Sequence, residues 1–274
     1  MILYEKEENI MNLCSIASGS SGNCIYVGNS NTNILVDVGL SCKKIEKSLS
    51  SIDVDASKLD GILVTHEHSD HISGLGVIAR RYQVPIYTTV ETINAILKTK
   101  SIGKIPEGLL RPIEADKEFN IKDITIEPFS MSHDAANPVC YNLYENGHKV
   151  SVATDLGKFD EYIISKLSNT EILLLEANHD VNMLEVGAYP YFLKQRILGD
   201  RGHLSNENSG KLICSLLSDR LKHIFLGHLS KENNYAELAY ETVKIEIDKF
   251  CNNSVKDFTL EVANREEPST FVSV

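Results

Sequence analysis

The sequence predicts a single α/β domain that spans residues 1–274, and three observations support this prediction. Short apolar runs typical of buried strands alternate along the chain with longer segments of helical spacing. Hydrophobic residues make up 42% of the 274 residues, which is enough for a sizeable core. No linker rich in Pro, Gly and Ser divides the sequence. We expect residues 1–11 to form a loose N-terminal extension of this domain.

The first predicted elements form a hairpin, a buried strand and a helix. Leu13–Ala17 and Cys24–Val27 are apolar runs joined by a Gly-rich turn, which is typical of two paired strands. Gly61–Thr65 is apolar and partly β-branched, and this predicts a buried strand. The spacing of apolar residues then predicts a helix over Thr89–Lys100.

The second half repeats the same alternation. Apolar runs predict four more strands, at Ile124–Phe129, Lys149–Thr154, Ile172–Leu175 and His223–Gly227. Helical spacing predicts two helices, at Asn206–Leu217 and Tyr235–Phe250. Ser205 directly precedes the first of them and is a suitable N-cap, because its hydroxyl can accept from a free backbone N–H.

The most informative motif is the run from His66 to His71, with the sequence His-Glu-His-Ser-Asp-His, at the end of a predicted strand. Side chains of His66 and His68 can point to one side of an extended segment, and Asp70 and His71 fall on the next turn. His and Asp avoid such apolar surroundings without a partner, so this mix favours a metal site over a charged surface turn. Zinc, manganese and iron all accept these ligands.

Three more candidate ligands follow predicted strands. They are His133, Asp155 and His228. Ligands gather at the carboxyl ends of strands in layered α/β folds, so we expect these residues to meet the first motif there. A single such histidine is more often a satisfied core or surface residue, but three convergent placements favour a shared site.

This ordered set of residues resembles the metallo-β-lactamase superfamily, from about Asn12 to His228. The resemblance implies an αββα sandwich, with two mixed β-sheets flanked by helices and a dinuclear metal site at the strand ends. It implies two divalent ions (Zn²⁺, Mn²⁺ or Fe) that share a bridging hydroxide nucleophile, and it matches Asp37 to an early structural aspartate. It assigns metal 1 to His66, His68 and His133, metal 2 to Asp70, His71 and His228, and both ions to Asp155.

A second acid and histidine resemble the catalytic pair of ribonuclease Z. Glu176 ends the strand predicted at Ile172–Leu175, and His203 lies just before the helix predicted at Asn206–Leu217. The resemblance implies that Glu176 orients His203, which acts as general acid on the leaving 3′ oxygen, while Asp70 steadies the nucleophile. The alternative is an exposed His203 at an ordinary helix start.

Further motifs resemble the YycJ family, also called WalJ or VicX. They lie at 15–24, 176–180, 193–206 and 228–234. The resemblance implies a bacterial cytoplasmic metal-dependent nuclease with 5′→3′ exonuclease action on DNA, and RNA is a further candidate substrate. Two alternatives stay open: a hydrolase of a small ester, thioester, lactone or cyclic phosphate, and a regulatory protein without catalysis.

Two segments are candidates for substrate binding. The loop 18–23 offers Ser18, Ser20, Ser21 and Asn23 as phosphate donors, although a plain hairpin turn explains it equally well. The segment 189–196 interleaves aromatic and basic residues, and Arg201 follows. Its aromatic rings either stack on unpaired bases or belong to the core of an amphipathic helix.

Charge and cysteine usage limit the function classes. The net charge of −11 is unusual for a protein that binds nucleic acid, so we expect modest, salt-sensitive affinity. No apolar stretch approaches the roughly 20 residues of a membrane span, and we expect no membrane partner. The acidic N-terminus does not resemble a signal peptide, and the six cysteines show no C-x-x-C spacing. We therefore expect a cytoplasmic protein with reduced thiols. The oligomeric state is left open.

Overall fold

The structure is a computed structural model that describes residues 10–250 and 258–274. Residues 1–9 of the expected extension and Cys251 lie outside these ranges. Met11 is buried, and its backbone N–H and carbonyl each bond to Val274 at 2.9 Å. The domain therefore begins no later than Met11, which corrects the expected place of this residue in a loose extension.

The first sheet is antiparallel at one edge and parallel at the other. Within the described residues its strands are β1 (Asn12–Ala17), β2 (Cys24–Gly28), β3 (Asn33–Val36), β4 (Gly61–Leu63), β5 (Ile86–Thr89), β6 (Leu110–Ile113) and β14 (Val272–Ser273). They lie in the order β14-β1-β2-β3-β4-β5-β6. Pairing is antiparallel from β14 to β3 and parallel from β3 to β6.

The second sheet mirrors this arrangement. Its described strands are β7 (Phe119–Ile121), β8 (Ile124–Ser130), β9 (Val139–Glu145), β10 (His148–Ala153), β11 (Ile172–Glu176), β12 (His223–Gly227) and β13 (Thr259–Val262). The order is β13-β12-β11-β10-β9-β8-β7, parallel from β13 to β10 and antiparallel from β10 to β7.

Helices cover the outer faces of both sheets. In the described part of the chain they are α1 (Cys42–Ser51), α2 (Ser69–Ile72), α3 (Leu75–Tyr82), α4 (Val90–Lys98), α5 (Glu161–Leu167), α6 (Val181–Val186), α7 (Tyr191–Leu198), α8 (Asn206–Leu216) and α9 (Ala236–Phe250). Two 3₁₀ turns occupy Ala56–Lys58 and Lys100–Ile102.

The buried apolar side chains form three layers. A central layer, with Leu13, Tyr141 and Phe225, lies between the two sheets. One outer layer packs α1, α3 and α4 on the first sheet, and the other packs α5, α8 and α9 on the second. This confirms the predicted αββα sandwich of two mixed sheets.

The three predicted helices are present with slightly different ends. The helix expected at Thr89–Lys100 is shorter because the Thr89 side chain accepts from Thr92 N as an N-cap and Lys100 belongs to a 3₁₀ turn. Ser205 caps α8 as predicted, accepting from Asn208 N. Among the described helices, none combines the length and apolar character needed to cross a membrane.

Candidate metal centre

The first four candidate ligands lie on the connection after β4. The strand ends at Leu63, and Thr65 N–H then donates to the Asp37 carboxylate instead of to a neighbouring strand. His66 and His68 lie on the extended turn that follows, and Asp70 and His71 lie on the short helix α2. The change from extended chain to helix turns these side chains toward a common point.

The other ligands follow strands of the second sheet. His133 comes after β8, Asp155 after β10 and His228 after β12. Asp155 and His228 have backbone φ angles of 61° and 54°, and Asp37 after β3 has 60°. This left-handed conformation is costly for residues other than Gly, so the surrounding structure must impose it. It bends the chain sharply at three strand ends that face the same centre.

The structure brings all seven predicted ligands together. Candidate ligand atoms lie within 4.8 Å of one another in three overlapping groups: His66, His68 and His133; Asp70, His71 and His228; and His66, His71 and Asp155. His71 Nε2 lies 3.2 Å from Asp155 Oδ2, and His228 Nε2 lies 3.3 Å from Asp70 Oδ2. These distances join the two halves of the set into one centre.

The residues of this centre fit divalent metal ions. His66 Nε2 is buried without a hydrogen-bond partner, which is costly unless another group satisfies it. Burial alone lowers the pKa of His71, but the carboxylates of Asp155, Asp37 and Asp70 raise this pKa well above its usual value. Metal ions and protons compete for imidazole nitrogen, so the negative charge of these carboxylates also favours a bound metal cation.

Asp37 orients one of these ligands. Its buried carboxylate accepts from Thr65 N at 2.9 Å, from Thr65 Oγ1 at 2.8 Å and from His71 Nδ1 at 2.7 Å. A carboxylate on one ring nitrogen fixes the tautomer and leaves the other nitrogen free to bind metal. The Asp37–His71 contact therefore points His71 Nε2 at the centre.

Glu176 is fully buried, and one of its carboxylate oxygens contacts two histidine rings. Glu176 Oε1 lies 2.8 Å from His203 Nδ1 and 2.9 Å from His228 Nδ1, and Oε2 accepts from the backbone N–H groups of Leu156 and Leu204. Burial alone raises the pKa of the Glu176 carboxyl, but these donors hold it below its ordinary value. The residue is an ionised support for both rings.

The sequence predicted the contact of Glu176 with His203 but missed its contact with His228. The signal lay in strand order, because Glu176 pairs with Gly227 in parallel β11 and β12, next to His228. Residues at corresponding ends of neighbouring parallel strands lie side by side. Sequence motifs alone did not say which strands are neighbours.

His203 stands at the edge of the centre. Its ring centroid lies 5.1 Å from that of His133 and 5.4 Å from that of His228, and its side chain is 19% exposed. Burial alone lowers the pKa of His203, but the Glu176 carboxylate raises it above the ordinary value. His203 lines a cavity of about 240 Å³ that reaches the candidate ligands His68, Asp70, Asp155 and His228.

Comparison with known proteins agrees with this geometry. Residues 32–222 match the family model of the beta-lactamase superfamily domain. Exodeoxyribonuclease WalJ of Streptococcus pneumoniae is 44% identical over 83% of this chain and 85% of its own length. Exodeoxyribonuclease YycJ of Bacillus anthracis is 41% identical over 83% and 86%. The chain belongs to the WalJ/YycJ family of the metallo-β-lactamase superfamily.

Solved structures show the same fold at low sequence identity. The metallo-beta-lactamase fold protein YhfI from Bacillus subtilis has a TM-score of 0.68 and 16% identity, over 95% of this chain and 99% of that chain. Zn²⁺-bound PqqB from Methylobacterium extorquens has a TM-score of 0.70 and 12% identity, over 95% and 100%. The αββα architecture of this WalJ/YycJ family member is therefore shared with distant relatives.

The Gly-rich loop of this WalJ/YycJ family member supports the centre from within. Ser18 Oγ accepts from His228 N at 2.8 Å, and Asn23 Nδ2 lies 3.1 Å from His71 Nε2. Both residues are buried, whereas Ser20 and Ser21 are exposed. Ser20 lines the cavity, so it is the best placed of the four predicted substrate contacts, whereas Ser18 and Asn23 contact candidate ligands.

Arg201, the other predicted substrate contact, bonds to the protein itself. Its guanidinium donates from Nε and Nη2 to the His133 carbonyl at 3.2 and 3.1 Å. The next residue, Gly202, accepts from His133 Nδ1 at 3.0 Å. This turn therefore holds both the backbone and the ring of His133. Asn178, Ile197 and Ser230 also line the cavity; they lie inside the sequence motifs but were not predicted as site residues, and Asp134 lies outside those motifs.

Proposed function

We propose that this protein is a metal-dependent exodeoxyribonuclease that removes nucleotides from DNA in the 5′→3′ direction. The observation that carries the proposal is the Glu176–His203 pair, held 2.8 Å apart at the edge of a seven-ligand centre. The two similar exodeoxyribonucleases support DNA as substrate. Five free cysteines among the described residues agree with the cytoplasm as the proposed compartment.

The centre has ligands for two divalent ions, for which Zn²⁺, Mn²⁺ and Fe are all chemically suitable. We assign His66, His68 and His133 to one ion, Asp70, His71 and His228 to the other, and Asp155 to both. When bound, such ions lower the pKa of a water nucleophile and neutralise charge on phosphate oxygens.

The side chains of the protein supply the proton for the leaving group. Glu176 accepts the Nδ1 proton of His203 and, although burial opposes this, raises the pKa of the ring, which favours the protonated form that a general acid needs. The other ring nitrogen is then the one that can donate to the leaving 3′ oxygen, which leaves poorly as an alkoxide. Asp70, beside His228, keeps the metal-facing side of the cavity anionic.

The decisive experiment follows both ends of linear DNA. Metal-stripped protein is refilled with Mn²⁺ or Zn²⁺ and incubated with DNA labelled at the 5′ or the 3′ end. We expect progressive release of the 5′ label and a fall in kcat of about 10²- to 10⁴-fold in His203→Ala, because a general acid contributes that much. His148→Ala is the matched control, since His148 also contacts a carboxylate but lies at a hairpin tip outside the centre.

A second substrate separates nuclease chemistry from general hydrolysis. Bis-p-nitrophenyl phosphate has a leaving group that needs no protonation, so His203→Ala should hydrolyse it nearly as fast as the wild type. Loss of activity on both substrates would mean that His203 supports the metal centre and is not the acid. If the wild type does not cleave DNA but hydrolyses small esters or cyclic phosphates, the result would favour the alternative function, a hydrolase of small molecules.

A further inference from the structure

The cavity above the metal centre is too small for a polymer. Its volume of about 240 Å³ lies below the roughly 300–1,000 Å³ of ordinary small-molecule sites. Any DNA beyond the nucleotide being cleaved must therefore lie on the rim of the cavity. One side of that rim is formed by Tyr189 and by Leu193, Arg196 and Ile197 of α7.

The segment that carries this rim exposes large apolar side chains that a solvated helix does not need. Val186, Tyr191 and Phe192 are 86%, 77% and 74% exposed, the highest values among the large hydrophobic residues described. The interpretation of the 189–196 aromatic rings as helix core is therefore wrong for Tyr191 and Phe192. Adjacent exposed apolar groups beside a cleft are typical of a binding surface.

Helix geometry separates the two exposed rings. Successive residues turn by about 100° around a helix, and residues four apart lie on the same face. Phe192 is four residues before Arg196, which lines the cavity, so these two side chains share one face of α7. This face lies at the edge of the part of α7 that lines the cavity. Tyr191 is about 200° away from Leu193 on the same helix and points away from the cavity.

The charge of this rim favours stacking over phosphate contacts as the source of affinity for a nucleic acid strand. Arg196 pairs with Asp134 through Nε, and both line the cavity. The whole chain carries a net charge of −11, so phosphate contacts alone give little affinity. Aromatic rings bind unpaired bases without needing net positive charge, because every base has a flat apolar face.

We propose that Phe192 is a stacking platform for an unpaired base of single-stranded DNA, next to the nucleotide in the cavity. This inference rests on the proposed exodeoxyribonuclease function and specifies the form of its substrate. A strand end enters the cavity as a single strand, and the following base lies on the exposed ring of Phe192. A blunt duplex must fray before it can bind in this way.

The test compares variants on a single-stranded oligonucleotide and on bis-p-nitrophenyl phosphate. Phe192→Ala should raise KM for the oligonucleotide about 5- to 150-fold, the range that loss of one stacked base gives. The value of kcat, and activity on the small diester, should stay as in the wild type. Because Phe192 is exposed, these substitutions leave the core unchanged.

Three further variants separate stacking from simple apolar contact. Phe192→Trp should keep a low KM because it retains an aromatic face, whereas Phe192→Leu should behave like Phe192→Ala. Tyr191→Ala is the matched control, since it removes a similarly exposed ring that lies about 100° around α7 from Phe192 and further from the cavity. An oligonucleotide with 2-aminopurine at the second position should show quenching on binding to the wild type and not to Phe192→Ala.

The outcomes are distinct. Wild-type cleavage of DNA with an unchanged KM in Phe192→Ala would overturn the stacking inference and leave the nuclease function standing. Equal KM effects in Tyr191→Ala and Phe192→Ala would also overturn it. A smaller oligomer in solution for Phe192→Ala than for the wild type would overturn it too, because this surface would then be a contact between copies of the chain. A wild type that cleaves only the small diester would overturn both proposals.

Discussion

Glu176 Oε1 receives Nδ1 of both His203 and His228, so one oxygen atom connects the proposed acid to a proposed metal ligand. Its second oxygen is held by two backbone N–H groups, and the carboxylate cannot rotate away without losing them. A ligand histidine supported by a carboxylate binds metal more tightly than a free one. We therefore propose that Glu176 serves both proton transfer and metal binding.

Comparing Glu176→Gln with His203→Ala should separate the role of Glu176 in metal binding from its role in proton transfer. We expect metal affinity to fall about 10- to 100-fold, because His228 loses its carboxylate support, and kcat to fall as well. His203→Ala should lower kcat and keep metal affinity. Metal affinity is measured by competition with a chromophoric chelator.

Glu171→Gln is the control for this prediction. Its carboxylate lies 3.0 Å from His148 Nδ1, so it is also a carboxylate–histidine pair, but it lies outside the centre. Metal affinity in Glu171→Gln should equal that of the wild type. Unchanged metal affinity in Glu176→Gln would show that the Glu176–His228 contact has no part in metal binding.

At the scale of elements, short turns between strands and helices hold the site together. The turn after α7 is an example: Gly202 O accepts from His133 Nδ1, and His203 N donates to Ile197 O. A Cβ on Gly202 would lie 2.1 Å from the Ile197 carbonyl oxygen, so only glycine fits there. The end of α7 thereby fixes two histidines of the site.

The substitution Gly202→Ala should move this turn and misplace both histidines. We expect kcat on DNA to fall by about 10²-fold, since a displacement of about 1 Å at a catalytic group can cost that much. Gly199→Ala is the matched control, because a Cβ there meets its nearest atom at 3.1 Å in the same turn. Wild-type kcat in Gly202→Ala would show that this close approach does not position the site.

The elements also show what the sequence could predict. Strands such as His223–Gly227 were identified with their correct ends, because continuous apolar runs mark buried parallel strands. The strand expected at Gly61–Thr65 ends at Leu63, because Thr65 bonds to the Asp37 side chain instead. Local periodicity does not reveal a bond to a residue 28 positions away.

At the scale of the whole molecule, the acidic body should limit DNA binding. The net charge of −11 opposes a polyanion except where the metal ions add positive charge. We expect weak binding of DNA in EDTA and tighter binding with metal, with affinity falling as salt rises. Fluorescence anisotropy of a labelled oligonucleotide measures this. A tight complex in EDTA that resists salt would contradict it.

The candidate centre was more predictable than its surroundings for a reason visible at this scale. His66, His68 and Asp70 form a dense motif that chemistry alone can interpret, and His133 and His228 each follow an apolar strand. The roles of Ser18 and Arg201 depend instead on which groups the fold places beside them. Sequence spacing does not contain that information.

The pairing of β1 with β14 has a consequence for the order of assembly. Asn12 and Ser273 contact each other although they are 261 positions apart in sequence. During synthesis, β1 keeps one edge uncovered until residues 272–273 have emerged, whereas β2 can pair with it at once. Closing so long a loop costs only modestly more than closing a shorter one, but contacts this distant slow folding. Completion of the first sheet is therefore a late step of folding, and a chain without β14 exposes a strand edge that can pair with another molecule.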